Sequence, residues 1–170
     1  AGYSNWTRDG EPVGRWPEML AVLEAGLKLH PKHVGLTHTY IHGVEESMQP
    51  ERALAAADAL RGLKIFIPSF GHLVHMPAHI YVRTGNFQKS IESNEETATM
   101  PTDTLSEEFR LWHYNHVLNF LLFSYAMQGN FAKVTHTLDR KFGFRSPRAS
   151  DQRPRYWVRF KRWDDILKVP

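Results

Sequence analysis

Cysteine is absent from the 170 residues, which excludes a disulfide framework and any thiolate metal site. Long apolar runs are missing too. No stretch approaches the roughly 18 residues of a membrane-spanning helix, and the longest, Val117 to Met127, is broken by Asn119 and Ser124. No nucleophile elbow, phosphate loop or metalloprotease motif occurs, so binding is expected ahead of turnover. A strong charge imbalance is also missing. The net charge is +3, and its excess sits late, with nine Lys and Arg against two Asp between Asp139 and Arg162. The chain opens on Ala1 without a helix start, which reads as a fragment or processed product. Asn5-Trp6-Thr7 fits a glycosylation sequon, a match that chance commonly produces.

What is present is a 42% hydrophobic content, enough for one sizeable core and, by length, one domain. Residues 1–15 are polar and rich in Gly and Pro and read as an extended lead-in. Trp16, Met19, Leu20, Leu23 and Leu27 follow helical spacing, with Pro17 suited to a first turn and His30-Pro31 as the stop. A second helix is predicted from Val34 to Ser47, with Val34, Ile41, Val44 and Met48 on its apolar side. A third follows Pro50 to Leu63, with Ala53, Ala57 and Leu60 on one face. The apolar linker 64–70 either folds onto the helices or offers a contact to a partner. A helix from His72 to Thr84 contains Pro77, which removes one hydrogen bond and should kink it. Phe87, Ile91 and Ala98 mark another helix. Thr104 and Glu107 form a capping-box pattern ahead of a long helix to Gln128, and Phe131, Val134 and Leu138 mark its partner. Residues 143–155 read as a basic linker, and 156–170 as a capping helix and tail that buries Trp157, Phe160 and Trp163.

Gly85-Asn86-Phe87-Gln88-Lys89-Ser90-Ile91 and Gly129-Asn130-Phe131-Ala132-Lys133-Val134 repeat one turn, and Pro50-Glu51-Arg52-Ala53-Leu54 is a looser copy. Ala53, Ser90 and Val134 lie 37 and 44 residues apart, a period of paired helices in α-solenoids. With Ala78 and Tyr81 before the turn and Pro101 after it, the pattern resembles the tetratricopeptide repeat over Trp16 to Phe142. His38-Thr39-Tyr40-Ile41-His42 with Val44-Glu45, and Gly71-His72-Leu73-Val74-His75-Met76-Pro77-Ala78-His79-Ile80-Tyr81, resemble a mostly bacterial subfamily of longer tetratricopeptide-repeat proteins. Arg159-Phe160-Lys161-Arg162-Trp163-Asp164-Asp165-Ile166-Leu167 resembles a segment near that subfamily's end. The resemblance implies an all-α solenoid of antiparallel helix pairs. About three repeats are expected within 16–142, closed by the C-terminal capping helix.

In such repeats, one stripe of each first helix faces a shared concave groove. Counting back thirteen, ten, six and three from Met48, Gly85 and Gly129 gives twelve positions. Six of the ten histidines occupy them: His38, His42, His72, His75, His79 and His116. Neutral imidazole offers a lone pair to a transition metal, and histidines four apart on a helix can chelate. His38, His42, His75 and His79 are the expected first ligands, with His72, His116 and Glu45 completing the set. Without thiolates, copper or zinc fits, with iron as a further choice. The competing readings stay open. Histidines can line a groove that grips an acidic or aromatic peptide without metal, or can be hydrogen-bonded core residues. Glu45 beside a metal with an open position could serve as a base. The basic, aromatic tail from Arg145 to Arg162 could grip nucleic acid instead of capping the stack. Open repeat stacks also associate end to end, so self-association is among the expected partners. His30, His33, His113 and His136 fall outside the pattern and read as surface or helix-end residues.

Overall fold

The computed structural model describes residues 5–63, 71–100, 107–142 and 147–168. The all-α expectation holds: the described segments are helices joined by turns, and the one extended pairing among the described residues is an isolated bridge between Trp6 and Pro12. Among those residues no helix is long and apolar enough to cross a membrane. The chain divides into two compact units, Ala1–Thr104 and Leu105–Pro170.

The first unit contains α1 (Trp16–Leu29), α2 (Val34–Val44), a 3-10 turn over Pro50–Ala53 that runs into α3 (Leu54–Gly62), α4 (Gly71–His75), α5 (Pro77–Arg83) and α6 (Phe87–Thr99). Pro17 takes the first turn of α1, where a missing N–H costs no hydrogen bond. His33 caps α2, its imidazole accepting the Leu36 N–H at 3.2 Å. Leu20 and Leu23, Tyr40, Ile41 and Val44, Ala53, Ala57 and Leu60, and Met76, Ile80 and Tyr81 form one core cluster. Ala53 and Ala57 are fully buried, and their small side chains let neighbouring helices come close. In this unit α2 packs on α1 and α3, α3 packs on α5, and α4 and α5 pack on α6. A further contact between α2 and α5 sets the histidine stripe of one helix beside that of the other.

The kink expected at Pro77 is a break. The α4 helix stops at His75, Met76 keeps helical angles (φ −49°, ψ −41°), and Pro77 opens α5. The lead-in differs from the extended segment expected. The Val13 N–H donates to the Asn5 carbonyl at 2.9 Å, closing a loop that buries Trp6. The indole N–H groups of Trp6 and Trp16 both donate to the Gly43 carbonyl, at 2.8 and 3.1 Å. A lone tryptophan in a polar stretch has no periodicity to announce its burial. Met19 and Met48, placed on apolar faces by spacing, are exposed. Leu20 and Leu23 already fill the narrow stripe of α1, and Met48 lies beyond the end of α2.

The second unit contains α7 (Glu107–Met127), α8 (Phe131–Phe142), α9 (Pro147–Trp157), a 3-10 turn over Val158–Phe160 and α10 (Trp163–Ile166). Val117, Leu118, Leu121, Leu122, Val134 and Leu138 form its buried interior. The expected basic linker is helical from Pro147 onward. Pro147 stands at the first helical position, where its fixed backbone angle suits a helix and its missing N–H costs no bond. The helix expected over 156–168 is interrupted instead at Lys161, which adopts a left-handed conformation (φ 54°). Trp163 is 53% exposed, so it is not the buried cap residue expected. Three cationic residues of this tail are engaged within the unit: Arg153 with Asp139, Arg159 with the Ala126 carbonyl, and Arg162 with Asp165.

The repeated turn appears in both units with the same geometry. Gly85 (φ 74°) and Gly129 (φ 73°) adopt the left-handed conformation that closes a helix. Asn86 N–H then donates to Tyr81 O at 2.8 Å, and Asn130 N–H to Tyr125 O at 2.9 Å. Lys89 lies over the Tyr81 ring and Lys133 over the Tyr125 ring, at 5.4 and 5.6 Å. The 64–70 linker and the capping pattern at Thr104 lie outside the described residues.

Candidate metal centre

The centre is assembled in the first unit from α2, the residue after it, and the two short helices α4 and α5. Positions 38, 42 and 45 share one side of α2 by helical spacing. The break at Pro77 divides the second stripe, leaving His72 and His75 on α4 and His79 on α5. His38 Nε2 lies 3.1 Å from His72 Nε2. The His42 ring packs edge-on against His38, with centroids 5.0 Å apart, and stacks on His72 at 5.9 Å. Each of these three rings can offer one nitrogen so that all three atoms lie within 4.8 Å of one another. A second group, His42, Glu45 and His79, meets the same distance.

Glu45 links the groups. One carboxylate oxygen faces His42 Nδ1 at 2.8 Å and the other faces His79 Nδ1. Burial pushes the Glu45 carboxyl upward, but the hydrogen bonds from His42 and His79 outweigh it and hold the group at about 2. An ionised carboxylate only accepts hydrogen bonds, so Nδ1 carries the hydrogen in both rings. In the neutral form of each ring the lone pair then sits on Nε2, as in carboxylate–histidine–metal arrangements.

His75 is oriented in the same manner by a residue that sequence reading missed. The Asn94 amide N–H donates to the Ser90 carbonyl at 2.7 Å. This fixes which end of the Asn94 side chain faces His75, and its Oδ1 accepts from His75 Nδ1 at 2.6 Å. His75 Nε2 then meets His79 Nε2 at 3.0 Å. Solvent access is graded across the face: His42 is 40% exposed, His79 9% and His75 fully buried. Burial, reinforced by the neighbouring His42 and His79, keeps His38 below the usual imidazole range. That favours the neutral, ligand-competent form.

No family model matches the chain, and no curated protein or solved structure matches it.

The four residues expected as first ligands thus fall into two neighbouring sets. His38 and His42 group with His72, while His75 pairs with His79, and Glu45 stands between His42 and His79. His116 lies on α7 in the second unit, stacked on Trp112 with ring centroids 5.5 Å apart and edge-on to Phe120 at 5.0 Å. Among the histidines outside the stripe, His113 corrects expectation. It is buried, and burial lowers its affinity for a proton. Asn94 had a sequence signal, since it falls three residues after Ile91 on the buried side of α6.

A cavity of about 310 Å³ lies elsewhere in the same unit, lined by Leu27, Tyr40, Arg52, Ala55, Ala56 and Ala59, among others. Tyr40 is two residues from both His38 and His42, so it leaves α2 on a different side from the histidines. At the cavity's edge Glu24 accepts the Tyr40 hydroxyl at 2.6 Å and pairs with Arg52 at 2.5 Å.

Proposed function

We propose that this chain is a tetratricopeptide-like binding or assembly module whose histidine-lined face holds a transition metal ion, copper or zinc. The solenoid reading is supported by packing order. α2 pairs with α3, α4 and α5 with α6, and α7 with α8, while α3 packs on the following α5. The matching turns at Gly85 and Gly129 are the other support. The metal reading rests above all on the convergence of His38, His42 and His72 nitrogens within 4.8 Å. Three neutral imidazoles with a solvent-facing side leave one tetrahedral position for an exchangeable ligand. The His38–His72 separation fits shared coordination, because bonds of about 2.0–2.1 Å place adjacent ligand nitrogens roughly 2.9–3.4 Å apart. In this reading Glu45 orients His42 and keeps its ligand nitrogen free, with its negative charge offsetting that of the ion.

A metal-free scaffold that grips a partner protein, or a second copy of itself, on the same face is the second reading. It is favoured by the bonds of His42 and His79 to Glu45 and of His75 to Asn94, which bind the side chains to one another without an ion. Elemental analysis separates the two. Protein stripped with chelator, re-exposed to zinc or copper and desalted should retain stoichiometric metal. A His38→Ala, His72→Ala double variant should lose the ion bound by the triad. Metal-free wild-type protein that still captures a partner supports the scaffold.

A further inference from the structure

We infer that the face holds two ions: one at His38, His42 and His72, and a second, more deeply placed, between His75 and His79. This rests on the metal-binding reading above and adds a site to it.

The argument starts from where the hydrogens are. His75 carries its hydrogen on Nδ1, because Asn94 presents an oxygen there and holds its own amide nitrogen against the Ser90 carbonyl. His79 turns Nδ1 toward a carboxylate oxygen of Glu45, which accepts its hydrogen. Both rings therefore aim Nε2 at the same point, 3.0 Å apart. Two nitrogens so placed are satisfied either by a proton on one of them or by a metal ion that both coordinate. The separation falls in the range of about 2.9–3.4 Å for two nitrogens on one ion with bonds near 2.0–2.1 Å.

The surroundings are those of a built pair of ligands. Each ring is held at its far nitrogen by a side-chain oxygen, the arrangement that fixes tautomer and direction in metal sites. The pair is almost fully buried, which raises the cost of an uncompensated charge. Glu45 compensates that charge through His79, and its other oxygen reaches His42 of the outer triad. One carboxylate thereby supports a histidine in each site. The pair supplies two adjacent coordination positions. The outer triad faces solvent and should fill and empty faster than the inner pair.

The test is a titration of chelator-stripped, full-length chain with Cu²⁺, read by calorimetry and by electron paramagnetic resonance. Two equivalents are expected per chain. The copper signal should show nitrogen hyperfine structure at the first equivalent and spin–spin broadening at the second. Saturation at one equivalent overturns this inference and leaves the single-ion reading standing, whereas no binding removes both. In His75→Gln, where the amide can still donate to Asn94, the count should fall from two to one. The double variant His38→Ala, His72→Ala should also bind one, without broadening. Two equivalents retained in His75→Gln, checked as folded by circular dichroism, would overturn the inner assignment. The wild-type stoichiometry needs no variant, so a misfolded His75→Gln does not rescue the idea.

Discussion

Glu45 joins His42 to His79, one carboxylate oxygen to each ring, across a sequence separation of 34 residues between carboxylate and far histidine. The contact between α2 and α5 makes this possible, and it ties two helices together at the point where the histidines converge. The carboxylate is held at about 2 by the two rings, against the opposing effect of burial.

Replacing Glu45 with Gln removes the charge and one of the two acceptor oxygens. The His42 and His79 rings lose their fixed tautomers, and zinc affinity should fall about 10–100-fold while the helical fold persists. Competition against a chromophoric chelator measures the change. Wild-type affinity in Glu45→Gln would show that the carboxylate does not support metal binding.

Asn94→Leu tests the support beneath His75. The substitution keeps an apolar volume in α6 but leaves the buried His75 Nδ1–H without its acceptor. A loss of about 1–3 kcal/mol is expected from urea unfolding. A neutral result would mean that His75 does not depend on Asn94 for its placement.

Gly43 lies where two indoles meet the backbone. A Cβ built there would sit 2.9 Å from Trp16 Cζ2 and 3.3 Å from Leu20 Cδ2. Gly43→Ala should therefore destabilise the first unit by about 1–3 kcal/mol through overpacking. It should also shift tryptophan fluorescence toward the solvent-exposed position. Unchanged stability and emission would contradict the packing of Trp16 on α2.

The Glu24–Tyr40 pair sets a pH window. The Tyr40 hydrogen bond, aided by Arg52 and opposed by burial, keeps Glu24 below its ordinary range. Burial, with Glu24 as acceptor, pushes Tyr40 up to about 12. A lowered carboxyl contributes stability above the ordinary glutamate range, and that contribution is lost as pH falls through the folded value. A raised phenol contributes below its ordinary value near 10, and that contribution is lost as pH rises through the folded one. The contribution of this pair, read as the difference in thermal stability between wild type and Tyr40→Phe, should be level between about pH 5 and pH 10 and decline on both sides. Tyr40→Phe should make both limbs shallower; limbs of unchanged slope would contradict the pairing.

The helices were largely legible because their apolar residues recur at helical spacing and their ends carry Pro, Gly and Asn. The α3 face is an example, since Ala53, Ala57 and Leu60 were expected on one side and are all buried. The histidine stripe was legible as a stripe for the same reason. Its division into two sets was not, because that depends on how α2 meets α4 and α5 in space. Asn94 was invisible as a partner of His75, since the bond joins residues 19 apart on different helices. Trp6 and the α9 helix escaped for the opposite reason: local composition argued for loop, yet Trp6 is buried and Pro147–Trp157 is helical.

Anomalous diffraction at the metal edge, from crystals of chelator-stripped protein soaked in zinc or copper, tests the central claim most directly. The account expects a peak bonded to nitrogens of His38, His42 and His72 at about 2.0–2.1 Å. A map with density at those rings but no anomalous peak among them, or with the metal at His30, His33 or His136 instead, would contradict it.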